Sequence, residues 1–256
     1  DYYKVIAPAD GKIDLQFLHE YKDNGYGWTV KIYKYNGEEY DELSSTEIRL
    51  NHNEKITLPY IGAVKDTTYY IKVTSPYLRS ESATIEDYTL VTKFAESKYY
   101  EKEVNDSYKK ATPVSLNASY NGILGTENDQ DYYKIVAPAN GKIDIKFCHT
   151  YEDNNLGWSI TFFRYSDGQY NELGSSEIHH RDNEKVVFPF IGAVKGGIYY
   201  IKVASPYFRS ETATNRNYTF KITFTKSDYY EKEVNNSYVQ ATPVVLNNAY
   251  SGNLNR

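Results

Sequence analysis

Cysteine, methionine and tryptophan are scarce: the 256 residues hold one Cys, no Met and two Trp. One thiol cannot close an intramolecular disulfide, so a disulfide-stapled scaffold is excluded. No apolar run approaches the ~20 residues that a membrane helix needs. The net charge of −5 comes without a basic stripe, which argues against nucleic acid as a partner. Neither His-Glu-x-x-His nor Gly-x-Ser-x-Gly occurs, and no nucleophile–base set stands out, so catalysis is not expected. The five histidines include an adjacent pair, His179-His180. Neighbours on a strand point to opposite faces, which makes that pair a poor chelate.

Tyrosine, by contrast, is abundant at 29 residues. It suits half-buried sheets as well as ligand-facing surfaces. The dominant feature is an internal repeat. At a shift of 130, Asp1-Tyr2-Tyr3-Lys4 falls on Asp131-Tyr132-Tyr133-Lys134, and the match runs without a gap to the last residue, with over half of the positions identical. Cys148 falls on Leu18 and is expected to be a small buried hydrophobe.

The patterning is that of strands. Lys12–Phe17 and Lys142–Phe147 alternate with period two, and Trp28–Tyr35 and Trp158–Phe163 form a second matched pair. Asn36-Gly37 and Asp167-Gly168 are hairpin signals, and Asp23-Asn24-Gly25 is a turn. Further strands are expected at 55–58, 68–73 and 88–94. With no helical stripe, the fold class is all-β: tandem jelly-roll-like antiparallel β-sandwiches.

The segment from Tyr99 to Asp106 is polar and does not alternate, so it reads as a junction. Residues 1–96 then make a first sandwich unit without its opening segment. Residues 97–226 make a complete second unit with an acidic N-terminal linker. Residues 227–256 repeat the opening segment; strand exchange with a first unit, in the same chain or in a neighbour, would give this segment a partner.

The order Glu101-x-Glu103-x-Asn105-Asp106, then Ala111-Thr112-Pro113, then Gly122-x-Leu124, then Asp129-x-Asp131-Tyr132-Tyr133 resembles the bacterial pre-peptidase C-terminal domain. That family includes the collagen-binding domains of clostridial collagenases. The resemblance implies a jelly-roll-like sandwich in a secreted or cell-surface bacterial protein, often attached to a peptidase. It also implies calcium held by the acidic linker and a nearby acidic loop. On this chain the matching positions are Glu101, Glu103, Asn105, Asp106 and Asp131, with Asp129 beside them and Asn128 where the collagenase members carry another aspartate.

The residue chemistry agrees with a hard cation. Calcium takes six to eight oxygen ligands, and Glu-x-Glu-x-Asn in an extended chain puts three oxygen-bearing side chains on one face. With only oxygen donors on offer, zinc and copper are disfavoured. A solvated acidic linker without an ion is the alternative that the residues alone leave open. The second copy, Glu231, Glu233, Asn235 and Asn236, and the lone Asp1 are partial versions of the motif.

The expected function is a non-catalytic, calcium-stabilised spacer, adhesion or targeting region. The alternative is a collagen- or carbohydrate-binding module appended to a secreted peptidase. Candidate ligand-surface residues are Trp28, Trp158, Tyr77, Tyr207, Arg79 and Arg209. For the tryptophans, core packing is the competing role; for the tyrosine–arginine pairs, it is an ion pair with Glu81 or Glu211. An extracellular protein or polysaccharide is the expected class of partner, together with self-association through 227–256.

Overall fold

A computed structural model describes residues 1–23, 27–75, 86–154, 156–206 and 214–254. The turn at 23–25 therefore lies partly outside the described residues. The chain divides into two compact units, Asp1–Val104 and Asn105–Arg256.

The first unit runs β1 (Tyr2–Ile6), β2 (Gly11–His19), β3 (Trp28–Tyr35), β4 (Tyr40–Ile48), β5 (Lys55–Thr57), β6 (Ile61–Ala63), β7 (Thr68–Thr74) and β8 (Tyr88–Glu96). One sheet has the order β1-β7-β3-β4; in the other, β2 is flanked by β5, β6 and β8. Strict alternation makes β2 one wall of the core. Ile13, Leu15 and Phe17 point inward, while Lys12 and Asp14 pair on the outer face at 2.9 Å. Val30 and Ile32 of β3 and Tyr69, Ile71 and Val73 of β7 close the core from the opposite sheet.

The second unit repeats this plan. Its strands are β9 (Thr112–Pro113), β10 (Ala118–Ile123), β11 (Gln130–Val136), β12 (Gly141–His149), β13 (Gly157–Ser166), β14 (Gln169–His179), β15 (Lys185–Val187), β16 (Ile191–Ala193), β17 (Ile198–Ala204) and β18 (Asn217–Lys226). The sheets are β14-β13-β17-β11-β9 and β10-β18-β12-β15, with β16 also on β12. All pairs are antiparallel except β9 with β11. Even the irregularities repeat: the β3–β4 ladder slips between Ile32 and Tyr33, and the β13–β14 ladder between Phe162 and Phe163. The expected hairpins form between these strands. In the second, Asp167 and Gly168 both take positive φ, 53° and 77°, as a type I′ turn requires.

Among the described residues, strands β9 and β10 have no counterpart in the first unit. They come from the segment after the linker: β9 extends one sheet beside β11, and β10 lies along β18 in the other. Val114 and Leu116, between them, pack on the core.

Each unit also ends with the same strap. The Ser97 amide donates to the Asp10 carbonyl, and the Ser227 amide to the Asn140 carbonyl. The backbone of Glu101 then lies against Gly62, and that of Glu231 against Gly192, so closely that a Cβ at either glycine would strike a carbonyl oxygen. Lys34 Nζ donates to the Glu103 carbonyl, and Arg164 donates to that of Glu233.

Two expectations about side chains are corrected here. Trp28 and Trp158 are 5% and 0% exposed. Each packs at a tilt or edge-on against Phe17 or Phe147 and against a histidine, His19 or His149, so neither ring can serve as a ligand platform. Cys148 is half-buried rather than buried. The alternation of β12 turns it to the outer face, opposite Thr219 and Lys185.

Candidate metal centre and ligand surface

The polar linker is where the acidic residues collect. Glu101 and Asn105 are fully buried, Glu103 nearly so, and Asp131, one residue into β11, is fully buried as well. Within the second unit, carboxylate oxygens of Asp106 and Asp129 lie within 4.8 Å of each other. Calcium–oxygen bonds of about 2.3–2.6 Å put two ligands of one ion at most about 5 Å apart, so this pair is compact enough to share an ion.

Burying carboxylates this closely is costly unless positive charge or hydrogen bonds compensate. Some compensation is visible. Tyr218 Oη donates to Asp131 Oδ2 at 2.5 Å, and the Gly125 amide to Asp129 Oδ2 at 2.6 Å. It is incomplete at Asp129. Burial, reinforced by the neighbouring Asp106 carboxylate, pushes its pKa up to about 7. A bound cation would remove that penalty. Asn105 supplies a second sign. Its amide nitrogen donates to Thr112 Oγ1 at 3.4 Å, while the buried Oδ1 has no hydrogen-bond partner. An all-oxygen donor set with an orphaned amide oxygen fits calcium. Asn128, the position that departs from the resembled motif, is exposed.

The partial copy is arranged differently. Glu231, Glu233, Asn235 and Asn236, together with Glu172, line an open cavity of about 290 Å³. Glu231 Oε1 accepts the Asn253 amide at 2.8 Å. Burial, and then the Glu231 charge, raises the Glu233 pKa. Asp1 accepts the Tyr88 hydroxyl at 2.6 Å, as Asp131 accepts that of Tyr218.

Tyr77, Tyr207, Arg79 and Arg209 lie outside the described residues. Exposed aromatics sit elsewhere. Tyr35 and Tyr40 face each other across the β3–β4 hairpin at 4.9 Å, and Tyr165 and Tyr170 do the same across β13–β14. All four are 38–58% exposed. Sequence reasoning passed over these pairs. The signal was present, since each pair brackets a hairpin turn and recurs at the 130-residue shift.

No protein-family model matches the chain. Over 167 residues, 62% of its length, it is 29% identical to collagenase ColT of Clostridium tetani, and it spans 16% of that protein. Among solved structures, the pre-peptidase C-terminal domain of a Bacillus anthracis collagenase aligns with a TM-score of 0.32 and 20% identity, over 44% of this chain and 94% of that domain. The tandem CBM22-1–CBM22-2 domain of Paenibacillus barcinonensis Xyn10C aligns with a TM-score of 0.26 and 9% identity, over 86% and 80% of the two chains. Neither superposition is close enough to transfer a function. The chain is an all-β tandem of antiparallel sandwiches, related at low identity to a clostridial collagenase.

Proposed function

We propose that this chain is a non-catalytic binding module of a secreted or surface bacterial protein that carries a peptidase, and that it holds the protein on collagen. The observation that carries this reading is the relationship to ColT over 62% of the chain. The hairpin pairs Tyr35/Tyr40 and Tyr165/Tyr170 suit the role. They are solvent-facing, rigid and amphipathic, and each unit presents one. Two exposed tyrosine pairs in one chain would give avidity on a repetitive fibre.

Calcium has a structural part in this reading. Glu101, Glu103, Asn105, Asp106, Asp129 and Asp131 would hold it, and its charge would offset the repulsion among their carboxylates.

Co-sedimentation of the 256-residue chain with collagen fibrils tests the first part. The chain is expected in the pellet, and Tyr35→Ala/Tyr165→Ala is expected to bind about tenfold or more weakly. Retention on a polysaccharide with no collagen binding would overturn the choice of ligand.

A further inference from the structure

On the outer face of the β14-β13-β17 sheet, register sets side chains of the second unit in rows. Ser159 stands opposite Glu177, Thr161 opposite Ser175, Phe163 opposite Glu172 and Tyr165 opposite Tyr170. β17 continues the middle rows, with Lys202 beside Thr161 and Tyr200 beside Phe163. The first three rows line a cavity of about 480 Å³, within the range of about 300–1,000 Å³ usual for ligand sites. Beyond them the ring of Tyr108 covers the sheet. It stacks on Tyr170 at 3.6 Å and meets Phe163 and Tyr200 edge-on at 5.5 and 5.1 Å.

The first unit fills the corresponding place with its own side chain. β3 and β4 keep the same rows, Lys31 opposite Ser45 and Tyr33 opposite Glu42. The Lys31 ammonium donates along the diagonal to both Glu42 oxygens, at 3.1 and 2.9 Å. The Tyr33 hydroxyl hydrogen-bonds to the same carboxylate. At the 130-residue shift Glu42 becomes Glu172, but Lys31 becomes Thr161 and Tyr33 becomes Phe163. The carboxylate is kept and both of its donors are gone. Among the described residues, Glu172 makes no hydrogen bond or ion pair.

The charge in the cavity is divided. Glu172 and Glu177 make the β14 side acidic. Lys202 is held on the far side, where its ammonium lies over the Tyr132 ring at 5.7 Å. Exchanging a long basic side chain for a short hydroxyl therefore leaves a recess whose acidic side suits an incoming ammonium. Thr161 and Ser175, opposite each other in the next row, offer hydroxyl oxygens as further acceptors. Phe163 offers an apolar surface to a methylene stem. Hydroxyl rows give way to aromatic rows along 159–165, which suits a run of extended chain better than a single small amine.

We propose that this face of the second unit binds a lysine side chain of an extended polypeptide, whose ammonium takes beside Glu172 the place that Lys31 Nζ fills beside Glu42. The first unit supplies its own lysine, so the preference belongs to the second unit alone. The proposal does not require the polypeptide to be collagen.

Titration of the isotope-labelled 256-residue chain with the peptide acetyl-Gly-Lys-Gly-amide, followed by amide chemical shifts, tests this. Shifts are expected at Ser159, Thr161 and Ser175 with a Kd of about 1 mM, and none at the equivalent Thr29, Lys31 and Ser45. The same peptide with norleucine in place of lysine keeps the stem without the charge and is expected to leave the spectrum unchanged. Thr161→Lys installs the side chain that the first unit already accommodates, so the sandwich is expected to fold and peptide binding to weaken tenfold or more. Glu172→Gln is expected to weaken it about fivefold. Equal shifts with the norleucine peptide, undiminished binding by Thr161→Lys, or no shifts up to about 10 mM peptide overturns the proposal. Shifts with spermidine and none with the lysine peptide would assign the recess to a free amine and overturn the choice of a polypeptide. Collagen co-sedimentation is read out separately, so either idea can fail without the other.

Discussion

β2 and β12 have the same burial pattern residue for residue, whereas β1 and β11 do not: the opening residues of β11 are buried on both faces where those of β1 are exposed. Tyr132 and Tyr133 are 7% and 0% exposed; Tyr2 and Tyr3 are 68% and 40%. The sequences at these positions are identical, so intrinsic preference cannot be the cause. What differs is the neighbour. Residues 108–123 lie over the second sandwich, and nothing in the described chain lies over the same part of the first. One repeat thus shows the sandwich covered and the other shows it bare.

The strongest way to probe this comparison is at the shared core. Trp28→Ala and Trp158→Ala should each cost about 3–5 kcal/mol, read by urea unfolding. A cost below about 1 kcal/mol at Trp28 would break the equivalence of the two cores.

Calcium comes next. At a hundredfold excess over its dissociation constant it should stabilise the fold by about 2.7 kcal/mol, and chelator should reverse this in calorimetry. Asp106→Asn, which copies the Asn236 of the partial motif, should shrink that gain. A melting temperature indifferent to both calcium and chelator removes the metal from the account.

Tyr108→Ala sharpens the contrast between cover and no cover. It should destabilise the second unit by about 2 kcal/mol through lost ring contacts. Tyr238→Ala at low micromolar concentration should leave the unfolding curve unchanged, because that ring touches solvent only.

The smallest expected effect is a pH dependence confined to one repeat. His180 is buried against Trp158 and His149, with Glu152 and Arg216 nearby; the first unit has Leu50 in its place. Desolvation lowers the His180 pKa from 6.5, an effect the Glu152 charge opposes and the His149 and Arg216 charges add to. The unfolded chain therefore binds the proton more readily. The neutral ring's contribution is complete above about pH 6.5 and is lost as pH falls through the folded-state value. Subtracting the stability profile of His180→Leu from that of the parent should isolate this acid-side loss. A flat difference between pH 7 and 5 would rule it out.

Much of the fold was legible in the sequence. Strict alternation fixes which face of Gly11–His19 is inside, and the repeat transfers that answer to Gly141–His149. β4 and β10 were not, because Tyr40–Ile48 and Ala118–Ile123 are rich in polar residues and take strand form from a neighbour's ladder. At the linker, Glu-x-Glu-x-Asn pointed to oxygen chemistry, but only tertiary structure shows that Asp129 lies beside Asp106 and that the Asn105 side chain is buried. The roles of Tyr108 and Trp158 were illegible for a common reason. Composition says that an aromatic residue is present and says nothing of what it touches.

Gly62 and Gly192 have a consequence for spacing. Each sits in an Ile-Gly-Ala triplet under the backbone of a glutamate that opens an acidic motif. The bare glycine lets the strap lie flush, and the glutamate two residues later then arrives at a fixed distance along the chain. The triplet works as a zero mark. Adding or removing a residue before Glu101 would put the wrong residue against Gly62, and adding a methyl to the glycine would lift the zero mark itself. In a molecule built by repetition, the smallest side chain sets where each repeat is counted from.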